Sequence, residues 1–226
     1  MVLKEFCEIG KPGQARKRGD LPLKETPLEV AELPDPAPNA KEILVKVSAC
    51  GVCHTELDEI EGRLVPPKFP IILGHEIVGR VEALGSGVTK FKAGDRVGIA
   101  WIYSSCGECD FCLRGDENLC DKFQATGLDA NGGYAQSVVI SEDFAYPIPE
   151  RFSDSQAAPL LCAGVIGYRA LRLSGIKPGQ VLGLYGFGAS AHIAIQLAKY
   201  WDCKVFVFTR KGQKEHQDLA KKLGAE

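Results

Sequence analysis

Four cysteines, Cys106, Cys109, Cys112 and Cys120, stand in the run CGECDFCLRGDENLC with two, two and seven residues between them. Thiolates held about 2.3 Å from a single Zn²⁺ must converge on a tetrahedron, and C-x-x-C turns deliver two such ligands at once. A closed four-sulfur shell has no open position, so the site expected here is structural and would order a loop poor in apolar residues. Disulfides, or thiols with no joint role, are the competing readings.

A second group lies upstream. CGVCHTELDEIEG and, some twenty residues later, GHEIVGRVEALG place Cys53, His54, His75 and Glu76 at the ends of consecutive elements. Two cysteines and a histidine make a three-ligand zinc shell whose fourth position accepts substrate. Cys162, in APLLCAGVIGYRAL just before the nucleotide-binding unit, is the best candidate for the missing ligand. Taken singly, each has a plainer reading, a core cysteine or a hydrogen-bonded histidine.

A third signal follows the apolar run VLGLY: Gly186, Phe187, Gly188, Ala189, Ser190, Ala191, a G-x-G-x-x-A loop opening a helix. The first glycine permits a tight turn, the second lets backbone approach a pyrophosphate, and the small third residue lets helix pack on strand. Where an NAD site presents an acid to the ribose 2′-hydroxyl, this chain has Thr209, then Arg210 and Lys211. Without a carboxylate to repel a 2′-phosphate, and with Arg210 able to pair with it, NADP(H) is the expected cofactor. The competing reading is that Arg210 and Lys211 begin a solvated helix.

These groups need elements to position them. From Leu28 to about Pro149, short alternating segments (LEVAEL, EILVKVSAC, IVGRVEAL, DRVGIA, YAQSVVI, FAYPIP) are separated by Gly, Pro and Asn, which predicts an irregular β-rich domain. Prolines 34, 36 and 38 make LPDPAPNA a turn or extended connector. Residues 155 to 174 read as helical; Val181 to Tyr185 as a strand, Ala189 to Tyr200 a helix, Lys204 to Thr209 a strand and Gln213 to Leu223 a helix. That βαβα order begins a doubly wound parallel sheet. Two domains are expected, 1–152 carrying both zinc sites and 153–226 a partial Rossmann unit.

The 226 residues carry 45% hydrophobic and 25% charged side chains with a net charge of −2, which argues against a nucleic-acid partner. No apolar run has the length of a spanning helix, and MVLKEFCEIG is charged too early for a signal peptide, so a cytoplasmic protein without membrane contact is expected. Nine cysteines in a reducing compartment then point to metal or catalysis; Cys7 and Cys203, with no motif around them, are expected to be inert.

With GVCHTE, GHEIVGRV, the CxxCxxCx₇C lobe, CAGVIGYRAL and GFGASA in this order, the chain resembles the zinc-dependent alcohol dehydrogenases of the medium-chain dehydrogenase/reductase superfamily over nearly its whole length. The resemblance implies a GroES-like N-terminal domain before the Rossmann unit, and two zincs, one held by Cys53, His75 and Cys162 and one by Cys106, Cys109, Cys112 and Cys120. It makes Glu76 the acid beside the catalytic zinc, Thr55 the hydroxyl that receives the substrate proton, and His54 a neighbour of the cofactor phosphates. Trp101 matches an aromatic residue at the substrate pocket of some members. The implied reaction interconverts an alcohol with its aldehyde or ketone, zinc polarising the substrate oxygen while hydride passes to or from NAD(P).

Two features depart from that pattern. Glu56 follows Thr55 where many members have Asp, one methylene shorter, and Asp58 stands where some have a proton-relaying histidine. The chain also builds two of about six strands of a full dinucleotide-binding sheet, so a C-terminally truncated fold is expected. A homo-oligomer, or completion by a second chain, follows as the expected partnership. The alternatives are a catalytically silent zinc-binding fragment and, within the superfamily, a polyol, threonine or formaldehyde dehydrogenase. Quinone-reductase relatives are disfavoured because they lack these zinc ligands.

Overall fold

The computed structural model describes residues 1–4 and 28–226, and the chain divides into two compact units, Met1–Leu161 and Cys162–Glu226. Cys7 lies outside the described residues. Among those described, no helix is long and apolar enough to cross a membrane.

In chain order the first unit contains β1 (Val2–Leu3), β2 (Leu28–Glu29), β3 (Glu42–Cys50), α1 (His54–Ile60), β4 (Ile71–Ile72), β5 (Ile77–Leu84), β6 (Arg96–Ile99), β7 (Ile102–Ser104), α2 (Asp110–Leu113), β8 (Gln124–Ala125), β9 (Ser137–Ser141), β10 (Ala145–Pro147) and α3 (Asp154–Ala157). Its main sheet runs β10-β6-β5-β3-β9 with every pairing antiparallel. Alternation along β3 sends Ile43 and Val45 to full burial against Ile77, Val97, Ile99, Val138 and Ile140. The β3–β5 register shifts twice, between Leu44 and Val45 and between Val47 and Ala49. Gly79 sits at the second irregularity, where any Cβ would strike the Lys46 carbonyl. Ile43 lies at the centre of this core, so Ile43→Ala is expected to cost about 2–5 kcal/mol, read as a lower midpoint in urea unfolding with an unchanged slope.

The predicted strand LEVAEL shrinks to the pair Leu28–Glu29. Its alternation was real, but Val30 and Leu33 are exposed and lack an apolar surface to bury against.

The predicted helix over 155–174 is broken. After α3 comes a 3-10 turn, Ala158–Leu161, and then α4 (Ala163–Ser174), with Cys162 between them at φ −125°, ψ −79°. Pro159 supplies the physical reason, because its ring removes a donor and crowds the carbonyl four residues back. The break is well anchored. Arg96 donates from Nε and Nη2 to Asp154 Oδ1 at 2.8 and 2.6 Å and from Nη1 to the Pro149 carbonyl at 2.8 Å. Ala157, Ala158 and Leu161 pack against Val78 in a small buried cluster.

The second unit holds α4, β11 (Val181–Tyr185), α5 (Ala189–Tyr200), β12 (Lys204–Phe208) and α6 (Lys214–Lys222). β11 and β12 pair in parallel, Val181 opposite Lys204 through Tyr185 opposite Phe208. Leu171, Leu182, Ile195, Cys203 and Val205 form its core, so Cys203 is a packing residue. Gly167 lets α4 approach α5, since a Cβ there would meet the Ser190 carbonyl at 2.8 Å. The chain thus folds as a β-rich unit followed by two strands of a Rossmann-type sheet.

Candidate functional site

The four-cysteine lobe hangs from a short antiparallel stalk, Ile102 opposite Ala125 and Ser104 opposite Gln124. Between the two strands only Cys120 is buried, while Leu113 and Leu119 are exposed, so the lobe has no apolar core. Sulfur converges instead. Cys106 and Cys112 Sγ are 3.8 Å apart, Cys109 and Cys112 3.5 Å, and Cys106 and Cys120 3.6 Å. Disulfide bonds, near 2.05 Å, are excluded for these thiols, and a tetrahedron with Zn–S of about 2.3 Å has edges of about 3.8 Å. Backbone donors also point at sulfur: Lys122 N–H lies 3.3 Å from Cys120 Sγ. The N–H groups of Glu108 and Cys109 hold the Cys106 thiol down to about 6, a value that favours the metal-binding thiolate.

The second group is built around α1. Cys53 is its N-cap, and Glu56, one turn in, accepts the Cys53 backbone N–H at 2.7 Å with Oε2 while Oε1 lies 2.7 Å from His75 Nδ1. A single buried carboxylate therefore fixes the backbone of one candidate ligand and the ring of another. The extra methylene of Glu56 is fully used in that span. With Nδ1 held by Glu56, His75 has Nε2 left for a metal. Burial opposes protonation of His75, but its hydrogen bonds to Cys53 and Glu56 outweigh this and carry its pKa up to about 9.

Glu76 follows His75 into β5, and its carbonyl accepts the Gly51 N–H at 2.9 Å. A side chain at position 51 would collide with the Glu76 carboxylate, so this glycine is required by close approach. Cys162 follows directly on Leu161, whose side chain is buried in the first unit's small cluster with Val78, Ala157 and Ala158. The ligand atoms of Cys53, His75, Glu76 and Cys162 all lie within 4.8 Å of one another. Cys50, the other thiol of CGVC, does not belong to this group of converging ligand atoms, and burial pushes it up to about 12.

Around this cluster, Thr55 Oγ1 is 3.7 Å from Cys53 Sγ. His54 is exposed, with Nε2 3.7 Å from Asp58 Oδ1. Trp101 meets the His75 ring edge-on, centroids 4.9 Å apart at 78°. Three contributors escaped sequence reasoning. Gly51 shapes the bed of Glu76, and the Tyr134 hydroxyl donates to its carbonyl at 3.3 Å. Glu59 is buried, and desolvation and then the charge of Glu56 push its carboxyl up to about 8. Only the spacing of Glu56 and Glu59 on one helical face hinted at the last.

In the second unit, Gly186 takes φ +86° directly after β11, and Gly188 is the N-cap of α5. A Cβ on either glycine would enter open space, so neither is demanded by internal packing and both leave room for an approaching ligand. Ala189 opens α5 and Ala191 packs on the core. Thr209 follows β12, its Oγ1 accepting from Gln217 Nε2 at 2.9 Å, and the exposed Arg210 uses its backbone N–H on Gln213 Oε1 at 3.1 Å, leaving its guanidinium to solvent. Gln217 is eight residues from Thr209, which no local pattern signals.

Residues 39–150 match the model of the alcohol dehydrogenase GroES-like domain. An alcohol dehydrogenase of Geobacillus stearothermophilus is 46% identical over 201 residues, covering 88% of this chain and 59% of that protein. Among solved structures, a cinnamyl alcohol dehydrogenase of Sorghum bicolor matches with TM-score 0.78 and 35% identity over 86% of this chain and 57% of that one. A Helicobacter pylori enzyme of the same name abbreviation, CAD, solved with NADP(H), matches with TM-score 0.76 and 30% identity over 83% of this chain and 56% of that one. The chain spans about three fifths of the length of such relatives. In domain signature, sequence relatives and fold, the chain belongs to the alcohol dehydrogenase family of the medium-chain dehydrogenase/reductase superfamily.

Proposed function

We propose that the chain carries the metal centres and the phosphate-binding end of an NAD(P)-dependent oxidoreductase that interconverts an alcohol with its aldehyde or ketone. The observation that carries this reading is the convergence of Cys53, His75, Glu76 and Cys162 within 4.8 Å. The donor set fits zinc: two soft thiols, an imidazole whose far nitrogen is held by a carboxylate, and a carboxylate able to stay outside a Cys₂His shell. The four sulfurs of the lobe fit a second, closed zinc site. When bound, zinc supplies Lewis acidity at the substrate oxygen and the nicotinamide supplies or accepts the hydride.

The chain's own residues do the rest. Glu56 orients Cys53 and His75 together. Thr55 Oγ1, beside Cys53, is the group that takes the hydroxyl proton of an alcohol, and the exposed His54, paired with Asp58, stands next along the chain toward solvent. Trp101 walls the His75 side, which suits an apolar substrate face. Gly186, Gly188 and the α5 N-terminus offer backbone N–H groups to a pyrophosphate. Thr209 and Arg210 favour a 2′-phosphate.

Two measurements test the reading. Zinc-loaded protein is expected to bind two zinc equivalents and to oxidise NADPH with an aldehyde panel, whereas two zincs with no detectable NADPH binding would favour the silent zinc-binding fragment. For cofactor choice, Thr209→Asp is expected to raise affinity for NADH relative to NADPH by about tenfold or more, since a carboxylate both accepts from the ribose hydroxyls and repels the phosphate. An unchanged ratio by fluorescence titration would remove Thr209 from that role.

A further inference from the structure

The four-cysteine lobe and the cluster around His75 are joined by two aromatic rings. Trp101 stands directly before β7, one strand of the lobe's stalk, and Phe123 directly before β8, the other. Their centroids lie 6.4 Å apart with planes tilted by 36°, within the range of an aromatic pair. Trp101 in turn meets the His75 ring edge-on at 4.9 Å. Both rings are half-buried, and among the described residues neither belongs to any of the buried apolar clusters, so general core packing does not fix them.

Phe123 is fixed by Cys120. The Cys120 carbonyl accepts the Phe123 N–H at 3.0 Å, while its sulfur receives the Lys122 N–H at 3.3 Å and the Cys106 N–H at 3.5 Å. The residue that closes the sulfur tetrahedron therefore also sets the turn that carries Phe123. Trp101 is tied to the stalk through its backbone, its carbonyl accepting the Thr126 N–H at 2.9 Å, and its ring pairs with Phe123 and with His75.

We propose that Phe123 is a positioning residue: it passes the closure of the four-cysteine lobe on to Trp101, and so sets the apolar wall that Trp101 presents beside His75. The inference rests on the reading of that cluster as an alcohol-converting centre. A closed lobe holds Phe123 against Trp101 and steadies the indole. An opened lobe withdraws Phe123 and frees the indole over His75. The four-sulfur shell takes no substrate itself, yet it tunes how well a large apolar substrate seats.

The test uses the full zinc-loaded chain carrying Trp201→Phe, which leaves Trp101 as its single indole. Phe123→Ala is expected to keep two zinc equivalents, to move Trp101 emission to longer wavelength and to raise its quenching by acrylamide. Phe123→Tyr keeps the ring and is expected to match the parent. Cys120→Ser is expected to move the emission in the same sense, and adding Phe123→Ala to it is expected to move it no further, the mark of one shared route. In turnover, Phe123→Ala is expected to raise KM for benzaldehyde about three- to tenfold, with a smaller change in kcat and in KM for acetaldehyde. Phe123→Leu, which keeps apolar volume without the ring, replaces the alanine variant if that one loses a zinc. The proposal is overturned by an unmoved Trp101 emission in the two-zinc Phe123 variant or in Cys120→Ser, by additive shifts in the double variant, or by an unchanged benzaldehyde KM in an active series. A parent that reduces no aldehyde overturns the alcohol-converting reading alone, because the emission decides the coupling without turnover.

Discussion

Replacing Cys120 by serine is expected to reduce bound zinc from two equivalents to one and to open the segment between Ser104 and Gln124 to trypsin at Arg114 and Lys122. The size of the effect follows from what the lobe lacks. Its single buried side chain is Cys120 itself, so no apolar burial is available to hold the segment once sulfur coordination fails. Structural zinc contributes on the order of 10–16 kcal/mol of apparent binding free energy in small zinc-dependent folds, against about 0.8 kcal/mol for one buried methylene. Serine leaves three thiols and a weak oxygen donor, and the tetrahedron whose edges lie near 3.5–3.8 Å loses a vertex. Leu113→Ser, at a 73% exposed position in the same lobe, is the control expected to keep both zincs. Metal analysis with limited proteolysis reads both outcomes; a serine variant that keeps two zincs and resists trypsin would remove Cys120 from the ligand set.

Replacing His75 by alanine is expected to cost more than the loss of a ligand. His75 and Glu56 are each 2% or less exposed and face each other at 2.7 Å. Removing the imidazole leaves a carboxylate sealed beside a second buried acid, Glu59, with only the Cys53 N–H as its donor. Breaking such a pair costs about 3–5 kcal/mol, a large share of the roughly 5–15 kcal/mol that holds a domain together. The pH dependence offers a check. In the parent, His75 with its pKa raised to about 9 contributes stability that is fully present below the ordinary histidine value and lost as pH rises through the folded one. The variant lacks this contribution, so urea midpoints at pH 5 and pH 8 should differ less for His75→Ala than for the parent. The double variant His75→Ala, Glu56→Ala should recover part of the loss, because no uncompensated charge remains. Additive losses in the two single variants would show that the pair is not coupled.

What could be read ahead of the fold was what depends on spacing along the chain. The convergence of the CxxCxxCx₇C thiols, the glycine loop between VLGLY and its helix, and the limits of β11, α5 and α6 to within a residue are all set by local pattern. Cys162 was singled out by its place just before the nucleotide-binding unit; the helix expected over 155–174 is interrupted there, and no local pattern showed that the break falls at this thiol. Glu56 was seen as a departure whose geometry could not be judged; only the 2.7 Å contacts to both Cys53 and His75 show how the longer side chain is accommodated. Gly51 meets Glu76 twenty-five positions away, a pairing no short window of sequence contains, whereas Glu59 beside Glu56 and Gln217 on Thr209 are near in sequence but carry no pattern that marks the contact.

The open space beside Gly188 separates two kinds of selection. Its φ of −94° is one that alanine adopts freely, and a methyl group there touches nothing within 4 Å. Gly186, at φ +86°, is constrained by its own backbone. A library sorted for folding alone would therefore discard substitutions at 186 and retain alanine at 188, and only a sort on nucleotide affinity would restore the second glycine. Among the described residues nothing packs against position 188, so its glycine is the one in the loop whose role a binding assay, and not a folding assay, would read.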